Sequence, residues 1–281
     1  MRLFKRVAIV GVGFIGGSLG LDLRRKKIAE EVVGFSRHRS SLILAKKKGA
    51  IDKGYEEIEK AVSYSDLVIL ATPVSKIIEL IPYISSFLKE GAIVSDVGST
   101  KVEIVRQGER FLSKNTYFVG AHPLAGSEKR GIREAREDLF KNAFCILTPT
   151  KNTDKKALKK ILQLWKNIGA EVKIMSPQEH DRLVAKISHL PHALAVNLIL
   201  SLDKKIIPWG AGGLKDTTRI ALSDPYIWQD IFLTNQKEII KAIKKFNVCM
   251  DKFLSALQNK DIKFIFSLLR KAQEKRALLK G

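Results

Sequence analysis

The chain has 281 residues, 45% of them apolar, enough to bury a substantial core and most simply arranged as two domains. Its two cysteines, Cys145 and Cys249, exclude a disulfide framework and paired metal-ligand spacing, and they suit a reducing cytoplasm. The formal net charge of +21 invites a nucleic-acid reading. However, the lysines are spread through every segment with no aromatic-interleaved basic stripe, so the charge reads as solvated surface that also draws anionic ligands.

Arg2, Lys5 and Arg6 precede an uncharged apolar run over residues 7–21, a pattern shared with export signals. Gly11, Gly13, Gly16, Gly17 and Gly20 interrupt that run and no small-residue cleavage site closes it, so it reads as strand, turn and helix. Within it, Gly11-Val12-Gly13-Phe14-Ile15-Gly16 has the spacing of a dinucleotide fingerprint. Gly11 permits the tight turn, Gly13 admits a pyrophosphate, and Gly16 lets helix and strand pack closely. The start of the following helix, at Phe14 and Ile15, supplies unpaired N–H groups for phosphate.

Further strands are expected over 32–35, 67–71, 92–95, 117–120, 144–147 and 171–174, with helical periodicity over 75–88 and 154–168. That alternation predicts an α/β fold with a mainly parallel sheet and helices on both faces. After residues 32–35 comes Ser36-Arg37-His38-Arg39, where an NAD-binding site usually carries an acid for the ribose diol. Ser36 and Arg37, helped by Arg39, instead suit a 2′-phosphate, which favours NADP while leaving NAD open.

Two polar segments follow later strands: Asp96-Val97-Gly98-Ser99-Thr100-Lys101, and His122 after the strand over 117–120. Ligands of open α/β sheets lie beyond the carboxyl ends of the strands, which places Ser99 and His122 beside a nicotinamide. Histidine titrates near neutrality and can take a hydroxyl proton as hydride leaves. Ser99 is an orienting group or a helix N-cap.

Ser176-Pro177 opens a helical half, and from 178 onward apolar residues recur at helical spacing. Domains are therefore expected at 1–174, binding NAD(P), and at 175–281, with enough apolar load to dimerise. No stretch after the first reaches the roughly 20 apolar residues of a membrane helix. His189 and His192 bracket Pro191 without further ligands, so no metal is expected. Lys215 and Arg219 lie four apart, on one face of a helix, and the guanidinium suits a carboxylate. Trp228 reads as core or pocket wall.

Five ordered blocks carry a resemblance that spans essentially the whole chain. They are the glycine fingerprint continued through Gly17-Ser18, the segment Asp96 to Lys101, His122-Pro123-Leu124-Ala125-Gly126-Ser127-Glu128, Ser188-His189-Leu190-Pro191-His192, and Gly213-Leu214-Lys215-Asp216-Thr217-Thr218-Arg219. Together they resemble the prephenate/arogenate dehydrogenases of tyrosine biosynthesis.

The resemblance implies a Rossmann-type domain, an all-α dimerisation domain, and oxidative decarboxylation of a cyclohexadienol. By it, His122 takes the ring hydroxyl proton and Ser99 orients it. His192 and Arg219 bind substrate, aided by Lys215, while Glu128 and Asp216 join an ionic network at the entrance. It further implies a cytoplasmic homodimer acting on a small molecule, prephenate before arogenate, with no nucleic acid or membrane partner. The Ser36-Arg37 pair departs from the NAD-dependent members. Another two-domain dehydrogenase, of the β-hydroxyacid type, is the competing class.

Overall fold

Strands and helices alternate as far as residue 174, and helices follow alone. The structure, a computed structural model, describes residues 2–112, 115–126 and 129–279. In chain order the first part runs β1 (Phe4–Val10), α1 (Phe14–Arg25), β2 (Ala29–Phe35), α2 (Arg39–Lys47), β3 (Lys53–Tyr55), α3 (Ile58–Val62) and β4 (Leu67–Leu70). It continues with α4 (Val74–Ile84), β5 (Ile93–Asp96), α5 (Val102–Phe111), β6 (Tyr117–Pro123), β7 (Phe144–Thr148), α6 (Lys155–Ile168) and β8 (Glu171–Ile174). The short strand β3 escaped the sequence pattern because its three residues, Lys-Gly-Tyr, carry no apolar run.

The sheet order is β3-β2-β1-β4-β5-β6-β7-β8. Strands β1 to β6 are parallel, while β7 runs antiparallel to β6 and parallel to β8. Strand order reverses between β1 and β4, and that crevice is where doubly wound sheets bind ligands. Central strands such as β4 (Leu-Val-Ile-Leu) are buried throughout, because helices cover both faces of a parallel sheet.

The antiparallel partner changes one expectation. Strand β6 does not end at Gly120, because β7 pairs with Gly120 to Pro123 beyond the point where β5 stops at Val119. His122 is therefore a strand residue, opposite Ile146, and not a loop residue.

Ser176 caps α7 (Pro177–Val184) with a full capping box to Glu179, and Pro177 occupies the first turn where its missing N–H costs nothing. A π turn, Ala185–His189, leads without a break into α8 (Leu190–Leu200). Pro191 explains the wide turn, since its ring would otherwise press on the carbonyl four residues earlier. The continuous stretch Pro177–Leu200 is, by length and composition, apolar enough to cross a bilayer, contrary to the sequence expectation. Within this structure its buried His180, Asp181 and His189 are instead tied into a polar network described below.

The chain continues through α9 (Gly212–Thr218), α10 (Pro225–Thr234), α11 (Gln236–Gln258) and α12 (Ile262–Ala277). Helices α7 and α10 pack on α5 and α4 of the sheet layer. The compact units accordingly divide at Gln236–Lys237, later than the change from strands to helices at residue 175. The second unit comprises the rest of α11 and α12, and it exposes Leu254, Ile262 and Phe266.

Candidate active site

The glycine fingerprint occupies the β1–α1 turn at the switch point. Gly11 has φ +102°, and a Cβ there would lie 2.8 Å from the Ala71 carbonyl oxygen. At Gly16 it would lie 2.1 Å from the Gly11 carbonyl oxygen, so helix and turn touch only because Gly16 has no side chain. Gly13 differs, because a Cβ there would meet nothing within 4 Å. As N-cap it offers no side-chain acceptor, so the first amides of α1, beginning at Phe14 and Ile15, are left for a ligand. That open cradle fits a dinucleotide pyrophosphate.

A cleft of about 500 Å³ adjoins the cradle, lined by Gly11, Ser36, Arg37 and Thr72 on the sheet side. Tyr226, Gln229 and Asp230 of α10 form its other wall. The Asp230 carboxylate is engaged there, accepting from the Ser75 hydroxyl at 2.6 Å and the Ser75 amide at 3.1 Å. Arg39, expected to help Arg37, faces Glu56 at 4.0 Å instead.

A second cavity, of about 580 Å³, brings Ser99, His122, His189, Arg219 and Trp228 together. Here α10 has a division of labour that helical spacing makes natural. Ile227, Trp228 and Ile231 face this cavity, whereas Tyr226, Gln229 and Asp230 face the cofactor cleft. Ser99 arrives from the β5–α5 turn, whose Thr100 hydroxyl lies 2.9 Å from that of Thr234 on α10.

His122 is half-buried, and its Nδ1 lies 2.8 Å from Nε2 of His180. Nδ1 of His180 lies 2.7 Å from Oδ1 of Asp181. That carboxylate accepts the backbone N–H groups of Lys101 (2.8 Å) and Val102 (3.0 Å) at the start of α5. Nδ1 of His122 is thus held by His180, a residue the sequence motifs did not single out. Its signal was an adjacent His-Asp pair one turn into a capped helix.

Beneath this chain Lys101 is fully buried and ion-paired with Asp96, whose carboxylate also accepts from Gly98 N at 2.8 Å and Ala121 N at 3.2 Å. Burial pushes the pKa of His122 well below 6.5, helped by His180, the Lys101 ammonium and His189. Burial also lowers His180, against the pull of Asp181. Both rings are therefore neutral at pH 7.

His189 and His192 separate in space. His189 lines the cavity, with Nδ1 3.2 Å from Nδ2 of Asn235, which also donates to the Asp181 carbonyl at 2.8 Å. Burial drops His189 to about 4. His192, expected to touch substrate, lies behind Trp228, stacked on its ring at 3.5 Å and 8° and only 3% exposed. The side facing the cavity is Trp228, so of the two histidines it is His189 that lines the cavity.

Arg219 lines the cavity as expected, but α9 ends at Thr218 and Arg219 begins a separate 3₁₀ turn. Lys215 and Asp216 are exposed and do not line the cavity. Glu128 lies outside the described residues.

The chain matches the prephenate dehydrogenase nucleotide-binding domain over residues 19–174 and the prephenate dehydrogenase dimerization domain over residues 176–271. It is 34% identical to prephenate dehydrogenase of Bacillus subtilis over 277 residues, covering 96% of this chain and 75% of that one. It is 32% identical to cyclohexadienyl dehydrogenase of Zymomonas mobilis, covering 100% and 98%. Among solved structures, Aquifex aeolicus prephenate dehydrogenase in complex with hydroxyphenyl propionate and NAD+ superposes with a TM-score of 0.91, at 37% identity and with 97% of each chain covered.

Proposed function

The chain belongs to the prephenate dehydrogenase family, and from that premise we infer that it oxidatively decarboxylates prephenate to 4-hydroxyphenylpyruvate. Hydride passes to a nicotinamide cofactor, and the step serves tyrosine biosynthesis. The observation that carries the chemistry is His122, whose Nδ1 is occupied by His180 while its ring lines a cavity shared with Arg219 and Ser99.

The free ring nitrogen, Nε2, takes the proton of the carbinol hydroxyl as the carbon–hydrogen bond breaks and the carbon–oxygen double bond forms. The ring carboxylate then leaves as carbon dioxide, its electron pair aromatises the ring, and the phenolate oxygen recovers a proton from His122. No net proton is released, so His122 is restored within the turnover. A nicotinamide cofactor, when bound, supplies the hydride acceptor. Gly11, Gly13, Gly16 and the first amides of α1 would hold its pyrophosphate, and Ser36 and Arg37 would meet the ribose.

Arg219 engages a substrate carboxylate in a bidentate manner, and Ser99 sits between substrate and cofactor. Asn235 can only donate through Nδ2, so Nδ1 of His189 accepts and its Nε2–H is the donor offered to the anionic substrate. Lys215 and Asp216, both exposed, would take part in the ionic network at the entrance that the family resemblance implies.

We favour NADP over NAD because Ser36 and Arg37 line the cleft without a competing acid on that strand end. A homodimer through residues 175–281, in the cytoplasm, completes the reading. It is supported by the exposed apolar residues of α11 and α12 and by the dimerization-domain match. The test crosses prephenate and arogenate with NAD and NADP, following reduced-cofactor absorbance. Turnover with prephenate is expected, fastest with NADP. Silence in all four combinations, from folded protein that binds cofactor, would overturn the reading.

A further inference from the structure

We propose that the backbone amides opening α5 fix, through Asp181 and His180, which nitrogen of His122 carries a hydrogen, and so keep its cavity-facing nitrogen bare. The inference rests on the proposed function for its consequence, but its geometry stands apart from any substrate.

The N–H groups of Lys101 and Val102 can only donate, and they occupy both oxygens of Asp181 as acceptors. The third contact of that carboxylate is to Nδ1 of His180, which must therefore carry the hydrogen. A neutral imidazole holds one hydrogen, so Nε2 of His180 is an acceptor. Its partner Nδ1 of His122 must then be the donor. One position remains for the lone pair of His122, and that is Nε2.

Both rings are held neutral chiefly by burial, which outweighs the pull of the Asp181 carboxylate on His180. His180 and Asp181 are buried, and the Lys101–Asp96 ion pair is buried below the histidines. Both imidazoles are held below their ordinary titration range, mainly by burial. A second branch leaves the same residue: the Asp181 carbonyl accepts one hydrogen of Asn235 Nδ2, while the other points at His189 Nδ1. One buried aspartate thus sets a bare nitrogen on His122 and an N–H on His189.

Because the hydroxyl proton returns to the oxygen it left, the chain need not carry a proton away. Its work is to hold the acceptor tautomer and to stabilise the imidazolium that forms briefly. His180 and Asp181 are positioning residues by this account, since neither lines the cavity. The logic parallels a catalytic triad in which an aspartate selects the histidine tautomer, here with a second imidazole between them.

The test uses the full-length protein with ¹⁵N-labelled histidine and two substitutions, His180→Gln and His180→Leu. In the unsubstituted protein without substrate, the ¹⁵N spectrum should show His122 with a protonated Nδ1 and a bare Nε2, its signals identified by their loss in His122→Asn. The opposite tautomer would overturn the proposal whatever the enzyme turns out to transform.

His180→Leu removes the acceptor and should lower kcat about 100-fold or more, with KM changed less than about threefold and cofactor affinity kept. His180→Gln places an amide oxygen near the former Nε2 and should recover at least about tenfold of that loss. A purely structural role predicts no such recovery. Leu and Gln variants of equal kcat, or a Leu variant within about threefold of the parent, would also overturn the proposal. Absence of prephenate turnover by the unsubstituted protein would instead refute the functional reading and leave the tautomer measurement intact.

Discussion

Lys101→Met should destabilise the fold far more than an ordinary lysine substitution. The ammonium is fully buried against Asp96, and that carboxylate is also fully buried, with Gly98 N and Ala121 N its remaining partners among the described residues. Removing one member of such a pair strands a buried charge, which costs about 3–5 kcal/mol. For a chain of this size that loss corresponds to a melting temperature lower by about 6–20 °C.

The pH dependence follows from the stranded group. Burial already pushes the Asp96 carboxyl up, and the Lys101 ammonium opposes that shift. Without the ammonium the folded-state pKa rises further above the unfolded value of about 3.9. A carboxyl raised in the folded state binds more protons folded than unfolded between those two values. Stability of the variant therefore falls as pH rises from about 4 toward the folded pKa, relative to the parent. Asp96→Asn/Lys101→Met removes both charges and should regain most of the loss. Urea titrations of parent, single and double variants across pH 5–8 measure all three quantities. A single-variant loss below about 1 kcal/mol, or a double variant no more stable than the single one, would refute the reasoning.

His122→Asn should lower kcat about 10²- to 10⁴-fold with cofactor binding retained, and near-normal turnover would remove His122 from the chemistry. Because burial holds His122 well below 6.5, protonation should switch off kcat/KM only on the acid side of that value, and an acid limb centred above pH 6.5 would contradict its surroundings. Arg219→Ala should raise KM for prephenate, about tenfold or more for a lost charge-assisted contact, and an unchanged KM would count against the carboxylate assignment. Arg37→Ala should weaken NADP use more than NAD use, as read from kcat/KM with each cofactor, and equal losses would argue against a 2′-phosphate contact.

Local rules were enough for much of this protein. Buried parallel strands write themselves as short apolar runs, so seven of the eight strands were legible, β3 being the exception. The Gly11, Gly13 and Gly16 spacing follows from backbone constraints within one turn, and the Ser176-Pro177 opening of α7 is likewise a local capping rule. Ser99, His122 and Arg219 were also recoverable as residues of one cavity, because strand ends and helix starts in this fold converge on one edge.

Tertiary structure decided what depends on partners distant in the chain. Strand β6 reaches His122 only because β7, more than twenty residues later, pairs antiparallel with its second half. His180 holds His122 across 58 positions, and Asp181 meets α5 across 80, distances at which no periodicity reports proximity. The histidine pair shows the same limit at short range. A spacing of three would put His189 and His192 on neighbouring parts of one helix surface, but the π turn at Ala185–His189 and the ring of Trp228 place one at the cavity and the other behind its wall. Sequence thus determined which elements form and which chemistries they carry, because those follow from interactions within a few residues. Which nitrogen meets the substrate was left to packing, because that depends on contacts made only once the helices have docked on the sheet.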